Sequence, residues 1–136
     1  MAVADPRITP LETLKDESYI SLTTFRKDGT PRPTPVWFAV DDGTIYVATG
    51  VDAYKVKRIN HTPRVTIAPC DVQGNVEEGV IPFEGHATVH PAGTPIGDKA
   101  KQIINSKYGL QKRLFDFIYW IRRDKYTYIA ITPTKS

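Results

Sequence analysis

The chain has a single cysteine, Cys70, and so cannot form an internal disulfide; a reducing cytoplasm is the compartment this favours. No apolar run approaches the roughly 20 residues a helix needs to cross a bilayer. The opening residues, MAVADPRITPLE, lack the charged start and apolar stretch of a signal peptide. Both common glycine-rich phosphate cradles are missing (GxGxxG, and GxxxxGK followed by Ser or Thr), as is the GxSxG nucleophile elbow. No second cysteine makes a CxxC pair with Cys70, whose plain reading is a small packed residue. Carboxylates are scattered through turns and loops (Asp41 and Asp42, Glu77 and Glu78), which leaves acid–base hydrolysis without machinery. Repeats and low-complexity stretches are also absent.

Histidine is scarce too. His86 and His90 are four residues apart in a stretch that reads as a strand, a separation of roughly 13 Å. A shared zinc, with ligand bonds of about 2 Å, cannot bridge that gap. His61 lies in a turn without a companion. The expectation is no metal site.

What remains is a mildly basic chain of 136 residues, read as one domain over residues 1–136, with a net charge of +3 and a pI near 9.0. That balance admits anionic ligands but falls short of a dedicated nucleic-acid binder. Eleven prolines and nine glycines lie between short apolar runs, the punctuation of an all-β framework. YISLTTF (19–25) alternates, with Ile20 and Leu22 on one face. Lys27-Asp28-Gly29-Thr30 and Asp41-Asp42-Gly43 are turn signals on either side of TPVWFAV (34–40), which is apolar on both faces. Strands are expected at 44–49, 64–70, 80–89 and 126–132, and short helices at 11–15, after Asp52, at 96–108 and at 110–123. In the strand at 80–89, Ile81, Phe83, Ala87 and Val89 face one way, and Glu84, His86 and Thr88 the other. Six mostly antiparallel strands with a few short helices predict a small β-barrel, mainly β in class. The helix at 110–123 is apolar over more than one face, which predicts a second copy of the chain as its cover: a homodimer.

One short stretch, DAYKVKRINHTPRV (52–65), gathers Lys55, Lys57 and Arg58. Asp52 is placed to cap its helix, and Pro63 ends it. At about 100° per residue, Val56 and Ile59 dock together, Lys55 and Arg58 share a face, and Lys57 points elsewhere. A solvated basic face is the plain alternative. An anion held here would be gripped by side chains, with Arg58 as fork and Lys55 as point charge.

In order along the chain, SLTTFRKDGTPRPTPVWF (21–38), TIYVAT (44–49), KVKRINHTPRVTIAPCD (55–71) and FEGHATV (83–89) resemble the pyridoxamine-phosphate-oxidase-like split β-barrel superfamily. Within it the chain is most similar to the PPOX-class coenzyme F420-dependent enzymes, the B-type flavin/deazaflavin oxidoreductases. The resemblance spans roughly residues 10–132. It implies a homodimer of six-stranded split barrels with a cofactor in each of two interface grooves. It also implies a deazaflavin lying against Thr34, Pro35, Val36 and Trp37, with its phosphate near Lys55, Lys57 and Arg58. Thr49 is a further implied contact, and Pro69 and Cys70 are implied to line the same groove. The activity implied is hydride transfer from reduced coenzyme F420 to a small electron-poor acceptor, in which the cofactor carries the chemistry and the protein supplies orientation and electrostatics. No catalytic residue is assigned; solvent or a tyrosine such as Tyr126 or Tyr128 is considered as proton donor. FMN is the alternative cofactor, in an oxidase or reductase of the same superfamily. The sequence also admits a non-catalytic binder of a flavin or tetrapyrrole. A nucleic-acid module fits less well, because the cations cluster on one helix rather than along an aromatic strand face. The expectation is no nucleic-acid partner and no membrane.

Overall fold

The computed structural model describes Leu14 and residues 17–107 and 126–134. Two tight hairpins start the fold. Strand β1 (Tyr19–Phe25) pairs antiparallel with β2 (Pro31–Asp41) along its whole length, from Tyr19 opposite Trp37 to Phe25 opposite Pro31. Asp28 holds the connecting loop by accepting from the Thr30 N–H at 2.9 Å. Strand β3 (Thr44–Gly50) then pairs with the far end of β2. Asp42 (φ 48°) and Gly43 (φ 81°) both take positive φ between them, the geometry of a two-residue turn that matches strand twist.

Helix α1 (Tyr54–His61) leads to β4 (Arg64–Cys70), β5 (Phe83–Pro91), helix α2 (Pro95–Lys107) and β6 (Tyr126–Pro133). All pairings are antiparallel, and the order β1-β2-β3-β6-β5-β4 closes because β4 returns to β1. The expected six-stranded barrel is the observed one. β3 pairs with β2 only over residues 38–41, so among the described residues 31–37 have no strand on their second edge. Pro31, Pro33 and Pro35 alternate there, which aligns their missing N–H groups along one edge.

Strand alternation builds two apolar clusters. Ile20, Leu22, Val36, Phe38, Ile45, Val47, Val65, Ile67, Ile129 and Ile131 fill the barrel, and Ile59 of α1 joins them. Outside the wall, Ala39 and Tyr46 pack with Tyr128 against Ala100 and Ile104 of α2. The second face of TPVWFAV is therefore covered in part by the chain's own helix. The expected helix at 110–123, and with it that argument for a partner, lies outside the described residues, as does most of the segment 11–15.

Several boundaries differ from expectation: β2 begins at Pro31 rather than residue 34, and β3, β5 and β6 each run one or two residues further. β5 starts at Phe83, not residue 80, because Pro82 cannot donate to a ladder; Ile81 is left 86% exposed instead of facing the core. α2 begins at Pro95. Thr94 caps it by accepting from Gly97 N–H at 3.2 Å, while Asp98 reaches back to accept from Gly93 N–H at 3.0 Å.

Candidate functional site

Helix α1 sits at one end of the barrel. Val56 and Ile59 are buried as its spacing requires, and Pro63 confines it to eight residues, the last turn closing through Thr62 N–H to Arg58 C=O at 2.7 Å. The cap is Ala53, in extended backbone with no side-chain hydrogen bond. Asp52 therefore does not cap the helix, contrary to the sequence expectation. It lies in the turn one residue earlier, and its carboxylate leaves the helix start unfilled.

The cations divide as helical geometry predicts. Lys57 is exposed, with its ammonium 5.4 Å from the centroid of the Tyr54 ring. Lys55 and Arg58 are half-buried, and both reach hydroxyls of the barrel wall. Arg58 Nε–H donates to Thr24 Oγ1 at 2.6 Å, and Lys55 Nζ to Thr49 Oγ1 at 3.5 Å. Thr24 and Thr49 are 1% and 7% exposed. Thr127 lies directly opposite Thr49 and is 2% exposed, and among the described residues its hydroxyl has no hydrogen-bond partner.

Two further arginines converge on this end. Arg32 stands directly opposite Thr24 across the β1–β2 ladder, and Arg26 follows β1 into the loop. Burial holds the Arg58 pKa below its ordinary value, and the charges of Arg32 and Arg26 push it the same way. Burial, then the Arg58 charge, lowers that of Lys55. Among the described residues no carboxylate forms an ion pair with Lys55 or Arg58. A groove of about 520 Å³ opens beside them, lined by Arg26, Lys27, Asp28, Tyr54, Lys57, Arg58 and His61. Its one carboxylate among the described residues, Asp28, is taken up by Thr30. The site is thus a set of cations oriented by neutral hydroxyls, a donor set suited to a phosphate.

The residues of β2 separate by alternation. Val36 belongs to the barrel core, so its side chain is not available to a ligand, and Thr34 shares that inward face but is half-buried. Pro35 and Trp37 face outward, Pro35 exposed and next to Gly74, Trp37 half-buried with its ring 6.5 Å from that of Tyr19 and tilted by 50°. Pro69 and Cys70 do not line the groove beside α1. Cys70 pairs with Tyr19, and Thr24 is five residues further along β1, roughly 17 Å away. They border a separate groove of about 450 Å³ with Glu17, Asp71 and Glu77. There burial, reinforced by Asp71 and Glu17, raises the Cys70 thiol to about 11. Tyr128 is 3% exposed in the outer cluster against α2, on the opposite face of the barrel wall from Thr49 and Thr127. The side chain of Tyr126 lies outside the described residues.

Sequence reasoning missed Thr24, Arg26 and Arg32. A signal existed for the first: Thr24 continues the inward series of Ile20 and Leu22, a hydroxyl where alternation calls for an apolar residue. Among the described residues no three His, Cys, Asp or Glu side chains gather as metal ligands, and no helix is long and apolar enough to cross a membrane.

Comparison with solved structures finds the same fold in several proteins. A conserved hypothetical protein from Mycobacterium tuberculosis is 21% identical, with 99% of this chain and 86% of that one covered at a TM-score of 0.70. An F420 reductase is also 21% identical, with 94% and 96% covered at a TM-score of 0.65. A pyridoxamine 5'-phosphate oxidase-related, FMN binding protein from Nostoc punctiforme is 12% identical, with 85% and 70% covered at a TM-score of 0.58. Comparison with curated proteins returns no match. At these identities the structural likeness establishes the fold alone. Sequence carries the assignment further: the family described as pyridoxamine 5'-phosphate oxidase matches residues 11–135, and this chain belongs to it.

Proposed function

We propose that the chain is an oxidoreductase that binds reduced coenzyme F420 and passes its hydride to a small electron-poor organic acceptor. The observation that carries this reading is the cationic barrel end: Lys55 and Arg58 are oriented by Thr49 and Thr24, unneutralised by any described carboxylate, with Arg26 and Arg32 beside them. The family membership and the resemblance of the segments around α1 supply the cofactor class. When bound, the cofactor supplies a hydride from C5 of its deazaflavin ring.

The protein's part is to hold and orient. Arg58 and Lys55 bind the phosphate, Lys57 adds charge from the groove side, and the backbone of Thr34–Trp37 gives the ring a wall. No side chain is required as a nucleophile. The cofactor site is completed by a second copy of the chain, forming a homodimer. Exposed Val72, Val76 and Ile81 on the β4–β5 loop are apolar surface compatible with such a contact.

FMN is the second reading, and one observation favours it. A phosphate monoester carries up to two negative charges, and four cations at one barrel end suit a dianion. Fluorescence titration of the purified protein with F420 and with FMN decides. Saturable F420 binding together with turnover of an electron-poor enone supports the first reading. Tight FMN binding with none for F420 overturns it, and binding of neither overturns both.

A further inference from the structure

Arg58 is held through its Nε by a hydroxyl buried in the barrel wall. Thr24 is 1% exposed and sits on the inward face of β1 with Ile20 and Leu22. Its hydroxyl accepts from Arg58 Nε–H at 2.6 Å, shorter than the 3.5 Å between Lys55 Nζ and Thr49 Oγ1. A guanidinium can grip a pair of oxygens by its Nε–Nη side or by its Nη–Nη end. The bond to Thr24 occupies Nε, which leaves the Nη–Nη end for a bidentate partner on a side chain that also borders the groove. A carboxylate in place of Thr24 would neutralise the charge, whereas a hydroxyl fixes the plane and leaves the charge intact. As a β-branched residue packed in a strand, Thr24 has restricted rotamer freedom, so its oxygen is a fixed reference point.

We propose that Thr24 is a positioning residue for the cofactor phosphate, setting the Arg58 fork in the plane that receives it. The inference rests on the phosphate reading above and adds to it a residue buried beneath the site. Arg32, directly opposite Thr24, strengthens the field at the same point without holding the fork.

The test is cofactor affinity of the full chain, measured by fluorescence with whichever of F420 or FMN the wild type binds. Thr24→Val, which keeps the shape and removes the acceptor, weakens binding about tenfold, as expected for a hydrogen bond to a charged group. Thr24→Ser restores affinity to within about twofold. In an Arg58→Lys background there is no fork to orient, so adding Thr24→Val changes affinity less than twofold. If Thr24→Val does not fold, Thr24→Cys takes its place with the same expectation, since a thiol is a poor acceptor. Equal losses in the wild-type and Arg58→Lys backgrounds, or no loss in either, overturn the role of Thr24 alone. A wild-type chain that binds neither cofactor overturns the cofactor reading and the role of Thr24 together.

Discussion

Replacing Lys55 with methionine should move stability and binding in opposite directions. Without ligand, the Lys55 ammonium is half-buried with only a long contact to Thr49, and burial and the Arg58 charge both disfavour its charged form. Like charges three residues apart on a helix cost about 0.2–0.5 kcal/mol, and methionine keeps the packing of the stem. The unliganded variant should therefore be as stable as the wild type or up to about 0.5 kcal/mol more so. Binding should suffer, because a hydrogen bond to a charged group contributes about 1.5–3 kcal/mol, roughly 10- to 150-fold in Kd. Thermal unfolding reads both effects. Cofactor at about 100 times the wild-type Kd stabilises by about 2.7 kcal/mol, and a 30-fold weaker variant retains about 0.9 kcal/mol at the same concentration. At about 3–5 °C per kcal/mol for a chain of this size, the ligand-induced rise in Tm falls from about 10 °C to about 3 °C. The unliganded Tm shifts upward by about 2 °C at most. A variant that keeps the full ligand-induced rise would refute the phosphate assignment of Lys55. One that loses more than about 1 kcal/mol unliganded would refute the claim that its charge is held at a cost.

Two other perturbations test the fold. Lys107, at the end of α2, donates to the Glu17 carbonyl at 2.7 Å with its ammonium 3.4 Å from the centroid of the Phe38 ring, and burial lowers its pKa to about 8. A lysine pKa depressed by folding means that the unfolded chain binds the proton more tightly, so stability is lowest below pH 8 and rises from there toward pH 10.5. Discounted for solvent exposure, the rise is on the order of 1–2 kcal/mol in urea midpoints; Lys107→Met should remove most of it, and a profile that falls over this window contradicts the burial argument. Gly97→Ala in α2 sets two effects against each other. Helix propensity would gain about 1 kcal/mol, but the new methyl meets the Pro91 carbonyl oxygen and lies 2.8 Å from Thr94 Oγ1 and 3.0 Å from the His90 carbonyl oxygen. Backbone cannot yield cheaply, so the clash wins and chemical denaturation should show a net loss of about 1–3 kcal/mol.

Much of the barrel was legible because its signals are local. Asp-Gly pairs mark both hairpins, and alternation assigned Ile20, Leu22, Phe83 and Ala87 to the side that packs. The errors came where one backbone group outweighed the pattern. Pro82 ended the ladder before Ile81 could join it, and the helix start settled on Ala53 rather than the better-capping Asp52. The site was half legible for a related reason. Helical spacing alone pairs Lys55 with Arg58 and sends Lys57 outward, since all three share one short helix. Arg26, Arg32 and Thr24 join them only through the β1–β2 register, which a five-residue loop sets and which no composition rule predicts. Pro69 and Cys70 are placed apart from α1 for the converse reason: they are near the helix in sequence, but their strand runs the other way and carries them to an acidic groove.

The choice of partners for the two inner cations separates a site from a solvated face. A basic helix with no function satisfies its cations with water or with carboxylates, and Lys57 does the first while Arg64, on the surface, pairs with Glu84 at 3.2 Å. Lys55 and Arg58 are half-buried and pair with no described carboxylate. They are drawn toward buried threonine hydroxyls, which orient a donor without cancelling its charge, and the neighbours that share their end of the barrel are further arginines. Aspartate at position 24 or 49 would relieve the repulsion and pair with both cations. That the chain instead keeps uncharged acceptors there leaves a concentrated positive field with its strongest fork already aimed, an arrangement that gains its compensation when an anion binds.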